Sequence, residues 1–459
     1  MALRAFTVAE IADVTSGEVM RASSSTVAGL CLDSRAVTKG VLFAALQGEN
    51  ADGHAFCAAA AEAGAACLLV EKPTDVPGNC GIVRVSSVEM ALRSLGARVR
   101  ADFRGEVVAV VGSCGKTTTK DFASALLGHL GTVCATSGNR NNLLGLPETL
   151  MNAHMDRRFW VLELGISKPN EMGDLAPIAR PTGVIMTTIQ PVHTEFFPTL
   201  EAIRDEKARV FDSAEPGGFA ALNAEDPLLR DLRLPTGTER ILYGTSPAAD
   251  VRVETEEGGG PEGTPFVLHL HGQRARGVLP LPGAYNLLNF AGACAAGAAF
   301  GADAQTLASA ASQLRPASHR GQTHRLAGDV LLLDDSYNAN PSAMAAVLAE
   351  TALWGRPVAG ALGEMLELGP ATFRHHTEAG RAAAEAGLTA LLAVGGEAAG
   401  AMAEAFAASG RPVLHVRTWR EGTEWLEGQI LPGSGVVVKG SRGIGLDGLV
   451  AWLVERRGA

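Results

Sequence analysis

Residues 107–119 read Val-Val-Ala-Val-Val-Gly-Ser-Cys-Gly-Lys-Thr-Thr-Thr, and this stretch decides the fold. The unbroken apolar run from Val107 to Val111 predicts a strand covered on both faces, as in a parallel sheet. Gly112-Ser113-Cys114-Gly115-Lys116-Thr117-Thr118 follows, and helical sequence continues over 120–130. Strand, glycine turn, lysine and helix in that order form a phosphate loop. The glycines let backbone N–H groups approach phosphate oxygens, and the helix N-terminus favours anions. Lys116 reaches the terminal phosphates, and Thr117 can coordinate magnesium. The long pattern G-x-x-x-x-G-K-[ST] is not met, because its first glycine would fall at Val110, so the loop is a shortened one.

Further apolar strands are predicted at 160–164 and 183–188, with helical segments between them, so the region reads as a parallel sheet wound with helices. Beyond Gly217 the texture changes. Strands around 241–243 and 267–271 flank the polar, glycine-rich 254–263, which predicts a loop within an appended smaller sheet. A Gly/Ala-rich helix over 286–300 leads to Leu314-Arg-Pro-Ala-Ser318, a hinge. Strand-like runs recur at 330–333, 358–362, 391–394, 413–416 and 436–438, giving a second open, Rossmann-like α/β sheet. Its strand ends carry Asp334-Asp335, Gly363-Glu364, Gly395-Gly396 and Lys439-Gly440, where ligands bind in such sheets. On the amino-terminal side, a helix at 88–103 is preceded by a small α/β module with strands at 41–46 and 67–70 and a helix at 56–66. The expected domains are 1–82, 83–315 and 316–459.

A chain of 459 residues exceeds what one hydrophobic core organises, which agrees with three units. Hydrophobic residues at 47% against charged residues at 19% describe a packed protein rather than a disordered one. The formal charge of -10, without a Lys/Arg cluster, argues against nucleic acid as a partner. No basic leader opens the chain and no window approaches a membrane span, so the expected address is the cytoplasm. The seven cysteines lack C-x-x-C spacing, which argues against structural zinc and disulfides.

Several polar residues fall where the sheet would present them to phosphates. Glu163 ends the strand at 160–164, and His193 lies in the loop after 183–188. The segment 200–213 reads as a helix whose apolar stripe is Leu200, Ile203, Val210 and Phe211, and Lys207 occupies that stripe. A lysine there either snorkels to water or is a buried functional group. Asp334-Asp335-Ser336-Tyr337-Asn338-Ala339-Asn340-Pro341 sets more hydrogen-bonding side chains after a strand than a helix cap requires.

Together these stretches resemble the Mur ligase family, nearly from end to end. Asp33-Ser34-Arg35, Phe43-Ala-Ala-Leu-Gln-Gly48 and Asp52-Gly53-His54 look like its nucleotide-sugar-binding module, which implies substrate contacts at Ser34, Arg35, Asp52 and His54. The short phosphate loop, with Gly138-Asn139-Arg140-Asn141-Asn142 and Gly145-Leu146-Pro147 beside it, is similar to the family's own. The resemblance implies ATP contacts at Gly112 to Thr118, Asn286, Asn289, Arg320, Asp335 and Tyr337, and further substrate contacts at Asn139, Asn142, Asn338 and Asn340. It casts Thr117, Glu163, His193 and Lys207 as ligands of two magnesium ions, Lys207 being carbamylated by carbon dioxide. Lys116, His193, Lys207 and Arg320 are then the catalytic set. The strings Tyr337-Asn338-Ala339-Asn340-Pro341 and Met365-Leu366-Glu367-Leu368-Gly369, with Lys439-Gly440-Ser441-Arg442, favour a member that adds D-alanyl-D-alanine to UDP-N-acetylmuramoyl-tripeptide. The third domain would bind the dipeptide and close on ATP, in a monomer. The chain departs from the family pattern at Cys114, Thr188, Tyr285 and Glu364, where Asn or Ser, Asn, His and Asp respectively are usual. The rival expectations are a sibling ligase for a single amino acid, a phosphate-loop ATPase that drives a conformational switch, and a nucleotide-binding module without turnover.

Overall fold

The computed structural model describes residues 3–48, 51–257 and 259–458. Its centre is the strand Glu106–Val111, whose residues Val107 to Val111 are fully buried. Parallel neighbours flank it on both sides: Phe159–Glu163 and then Val133–Ala135 on one, Gly183–Met186, Phe219–Asn223 and Glu239–Gly244 on the other. The chain leaves the central strand toward one side and later crosses to the other, so the carboxyl end of Glu106–Val111 is a topological switch point, where open sheets form their binding crevice. Register fixes what meets there. Glu163 lies opposite Val110 and Met186 opposite Val111, so Glu163 and the phosphate loop emerge at one edge.

The strands after residue 244 correct the expected appended sheet. Val251–Thr255 pairs parallel with Glu239–Gly244, and Thr264–Leu270 and Gln273–Leu279 follow antiparallel, all in one nine-stranded sheet. Pairing there covers an edge that Glu239–Gly244 would otherwise expose. The polar stretch is also shorter than the expected loop, because Glu254 and Thr255 still belong to a strand. The helix expected over 56–66 is confined to Cys57–Glu62, behind a 3₁₀ turn at Gly53–Phe56.

A five-stranded sheet built from residues 18–84 precedes the central unit, and a six-stranded one, built from 322–439, follows it. In the latter Gln322–Leu326 pairs antiparallel with Val330–Asp335, and the remaining strands are parallel. The helix Val88–Asp102 joins the first two units. Ser87 caps it by accepting the Met90 N–H at 3.3 Å, and Val88, Leu92, Leu95 and Val99 form its buried stripe. Through that stripe one apolar core runs from Phe6 to Leu232 across both units, with Phe103 stacked on Trp160 at 3.6 Å. Asn152 adds a polar tie, exchanging hydrogen bonds with both the N–H and the carbonyl of Leu30. The carboxyl-terminal unit has cores of its own on the two faces of its sheet.

Candidate active site

The phosphate loop bends because Gly112 and Gly115 take backbone angles that other residues resist. Their φ values are 153° and 79°. A Cβ on Gly115 would lie 2.3 Å from Asn289 Oδ1, and one on Gly112 would lie 1.9 Å from Thr187 Oγ1. The helix Lys116–Leu127 then starts without a side-chain cap among the described residues, and its first residues line the crevice, as an anion seat requires. Lys116 folds back over the loop and donates from Nζ to the carbonyls of Gly112 and Ser113, at 3.0 and 3.2 Å.

A cavity of about 410 Å³ opens on this loop, walled on the far side by the carboxyl-terminal unit. Of the residues expected at ATP, Ser113 to Thr118, Asn286, Asn289, Arg320, Asp335 and Tyr337 line it, as do Asn139, Asn338 and Asn340 from the expected substrate set. Leu288, Ala346 and Val347 add apolar wall suited to the face of a base. The Arg320 guanidinium stacks over the Tyr337 ring at 4.0 Å. Tyr285 also faces the cavity, and burial beside Asp335 and Glu350 raises its pKa well above the usual phenol value.

Glu163 is 2% exposed on the cavity wall. Its Oε1 accepts from Asn141 Nδ2 at 2.6 Å, while its Oε2 is buried without any partner. An orphaned carboxylate oxygen on the cavity that Thr117 and the phosphate loop also line fits a divalent cation. Lys207 is likewise 2% exposed, on the helix Leu200–Ala208, and its ammonium makes no hydrogen bond or ion pair among the described residues. Burial and the nearby charge of Lys116 lower its pKa from 10.5 to about 7. Ile203, Val210 and Phe211 are buried with it as expected, whereas Leu200, at 36% exposed, leaves the stripe because it starts the helix.

His193 does not line the cavity. It sits in a left-handed turn with φ 52°, and its Nδ1 pairs with Glu367 of the carboxyl-terminal unit at 3.1 Å. Burial, aided by Lys207 and Lys116, holds its pKa below the ordinary value against the opposing pull of Glu367. Among the described residues no three His, Cys, Asp or Glu side chains gather as a ready-made metal centre.

Other expected residues lie apart from the cavity. Asn142 accepts from the Leu144 and Gly145 N–H groups and shapes the start of the helix Gly145–Met151. Asp52 holds His54 Nδ1 at 2.6 Å and Lys72 at 3.0 Å, and His54 Nε2 accepts the Glu71 N–H, which ties the loop to the end of the strand Cys67–Val70. Ser34 and Arg35 form an exposed turn after the strand Leu30–Cys31, with Arg35 paired to Asp33 at 2.6 Å. Residues to which sequence reasoning assigned no role also face the cavity: Asn141, which orients Glu163; Gln190; Ser342; and Lys439, a 2% exposed lysine paired with Asp335 and donating to the Asn338 carbonyl at 3.0 Å.

An uncapped phosphate-loop helix, an orphaned carboxylate, a buried lysine and a second α/β unit closing the cavity define a nucleotide-dependent enzyme of the three-unit α/β class. Family models match along the chain: the Mur ligase family catalytic domain at 26–113, the Mur ligase middle domain at 110–297 and the Mur ligase glutamate ligase domain at 319–442. The chain is 32% identical over 393 residues to the UDP-N-acetylmuramoyl-tripeptide--D-alanyl-D-alanine ligase of Escherichia coli, covering 85% of this chain and 86% of that one. It is 31% identical to the ligase of the same name from Mycobacterium bovis, over 98% and 97% of the two chains. A crystal structure of MurF from Acinetobacter baumannii superposes with a TM-score of 0.88 at 28% identity, over 99% of this chain and 100% of that one. MurF from Thermotoga maritima in complex with ADP superposes at 0.81 and 25% identity, over 94% and 97%. The chain belongs to the Mur ligase family.

Proposed function

We propose that this chain is the ATP-dependent ligase that joins D-alanyl-D-alanine to UDP-N-acetylmuramoyl-tripeptide in peptidoglycan synthesis, through an acyl phosphate. The observation that carries the reading is the cavity: a phosphate loop, an orphaned Glu163 oxygen and Arg320 share one space between two units, in a chain whose relatives bear that activity in their names.

The N–H groups at the start of the helix Lys116–Leu127 seat the phosphates of ATP. Lys116 exchanges its two loop carbonyls for phosphate oxygens, and Arg320 adds charge from the opposite wall, where negative charge spreads as the γ-phosphoryl group moves to the tripeptide carboxylate. Thr117 and Glu163 would hold one magnesium ion, and His193 with Lys207 the other; bound magnesium supplies charge neutralisation at the phosphoryl oxygens. Asn141 keeps Glu163 turned so that Oε2 faces inward. Lys207 suits carbamylation because the reaction consumes a neutral amine, forming an N–C bond to carbon dioxide and releasing one proton. Its lowered pKa supplies that amine near neutrality. Seating of the carboxyl-terminal unit keeps water from the acyl phosphate until the dipeptide amine attacks and phosphate leaves.

Ser34, Arg35, Asp52 and His54 lie at the carboxyl ends of parallel strands in the amino-terminal unit, the position suited to the nucleotide sugar. We read the enzyme as a monomer of the cytoplasm, where ATP is available. The test is phosphate release with UDP-N-acetylmuramoyl-tripeptide offered D-alanyl-D-alanine, D-alanine or D-glutamate. Release that requires both the precursor and the dipeptide supports the reading. Release with D-alanine or D-glutamate alone points to a sibling ligase, and release without any amine to an ATPase.

A further inference from the structure

Among the described residues, several polar side-chain contacts join the central and carboxyl-terminal units: Arg325 pairs with Glu262 where both are exposed, and three others lie along the cleft. Asn340 Nδ2 donates to Cys114 Sγ at 2.9 Å, Glu367 pairs with His193, and Ser342 Oγ donates to Gln190 Oε1 at 2.6 Å. Gln190 differs from the others in what stands behind it. Its N–H donates to Ser113 Oγ at 3.0 Å, and that hydroxyl donates back to the Gln190 carbonyl at 3.1 Å. The Ser113 N–H is itself bonded to the Thr188 carbonyl at 2.7 Å. Ser113 in the phosphate loop is therefore tied through Gln190 to Ser342, the second residue of the helix Pro341–Thr351.

We propose that Gln190 is a positioning residue of the ligase reaction, a latch that couples the conformation of the phosphate loop to the seating of the carboxyl-terminal unit. The inference rests on the ligase reading above and names a device within that site. The latch is uncharged, so it forms and opens without the desolvation penalty of an ion pair, as a contact remade in each turnover requires. A thiol sulfur is a weak acceptor, so Asn340 on Cys114 holds the same seam less firmly. Gln190 and Ser342 both line the cavity, which places the latch where water would enter beside the reacting groups.

Opening the latch lets water replace the amine at the acyl phosphate. A C–O bond forms from water, the bond from the acyl carbon to the phosphate oxygen breaks, carboxylate and inorganic phosphate leave, and a proton goes to solvent. ATP is then consumed without amide formation. Gln190→Ala and Ser342→Ala are expected to lower kcat for amide formation about three- to tenfold, the worth of one hydrogen bond, with a smaller change in KM for ATP. ADP released per amide formed should rise above one, and the melting temperature should stay near that of the wild type. Ser342→Thr, which keeps the hydroxyl, should restore coupling. Solution scattering gives a readout independent of turnover: with ADP bound, both alanine variants should show a larger radius of gyration than the wild type. Wild-type coupling and an unchanged radius in both alanine variants would overturn the latch, as would a loss that Ser342→Thr does not repair. A wild-type chain without dipeptide-dependent release counts against the ligase reading instead, and the scattering comparison still decides the latch.

Discussion

Lys207 occupies the least forgiving position in the cleft, an amine 2% exposed under the influence of the Lys116 charge and, among the described residues, without an ion pair. Carbamylation turns that liability into a carboxylate. Lys207→Ala should lose about 10²–10³-fold in activity, the order expected for removing a group that stabilises transferring charge, and added formate or acetate should restore part of it. Lys207→Arg should fail as well, because a guanidinium stays protonated. The pH dependence follows from the sign of the shift. With a pKa of about 7, the amine is mostly neutral at about pH 8 and mostly protonated at about pH 6, so enzyme stripped of carbon dioxide should recover with bicarbonate only at the higher pH. Lys116→Ala should abolish phosphate release with circular dichroism unchanged, since among the described residues its ammonium binds two loop carbonyls. Lys207 and Glu163 were legible in the sequence because each breaks or ends an apolar pattern. Asn141, Gln190 and Lys439 were not assigned roles, because a hydrogen-bonding residue in a loop or at a strand end shows its partner only after the chain has folded.

Two elements hold the cleft in shape by main-chain geometry. The turn into the helix Lys116–Leu127 depends on Gly115, and Gly115→Ala adds both left-handed strain and a contact with Asn289. It should cost about 1–2 kcal/mol in stability and weaken ADP binding, measured by denaturant titration and calorimetry. The loop bearing Glu367 depends on His376, fully buried on the helix Thr372–Glu385. Its Nε2 accepts the Met365 N–H at 2.8 Å, and its Nδ1 donates to the Thr372 carbonyl at 2.7 Å. Burial lowers the His376 pKa below 6.5, so the unfolded chain takes up the proton first and stability falls as pH drops through the lower folded value. His376→Ala should cost about 1–3 kcal/mol near neutral pH and remove that part of the acid sensitivity, read from melts at several pH values. Strands with continuous apolar runs were legible. Gln273–Leu279 was not, because its alternating Arg and Gln face water, and neither was Phe219–Asn223, whose short Ala-rich run also suits a buried helix.

At the scale of the molecule, the shared core from Phe6 to Leu232 makes the first two units one cooperative body, while the carboxyl-terminal unit can unfold separately. Four of the five tryptophans, Trp354, Trp419, Trp425 and Trp452, lie in that last unit, and Trp160 alone reports on the rest. Trp160→Phe should therefore leave a fluorescence transition whose midpoint differs from that followed by circular dichroism, and ADP at about 100 times its Kd should shift stability by about 2.7 kcal/mol. Three-unit architecture was legible from the hinge at 314–318 and the phosphate loop. The fusion of the first two cores was not, because a helix stripe shows that it is buried without showing against what.

The carboxyl-terminal unit holds one further lesson in Glu364. Its Oε2 accepts the Gly396 N–H at 2.6 Å, just before the helix Glu397–Ala407, in the Gly395-Gly396 turn that follows the strand Ala390–Val394. In an open α/β sheet that glycine turn is where a dinucleotide would lodge its pyrophosphate. Here the seat is taken by the protein's own carboxylate, an internal anion that repels any other. The unit has the outline of a nucleotide-binding domain, yet its own Glu364 occupies the turn at Gly396 where a phosphate would otherwise sit, so the outline alone does not make it a second seat for ATP.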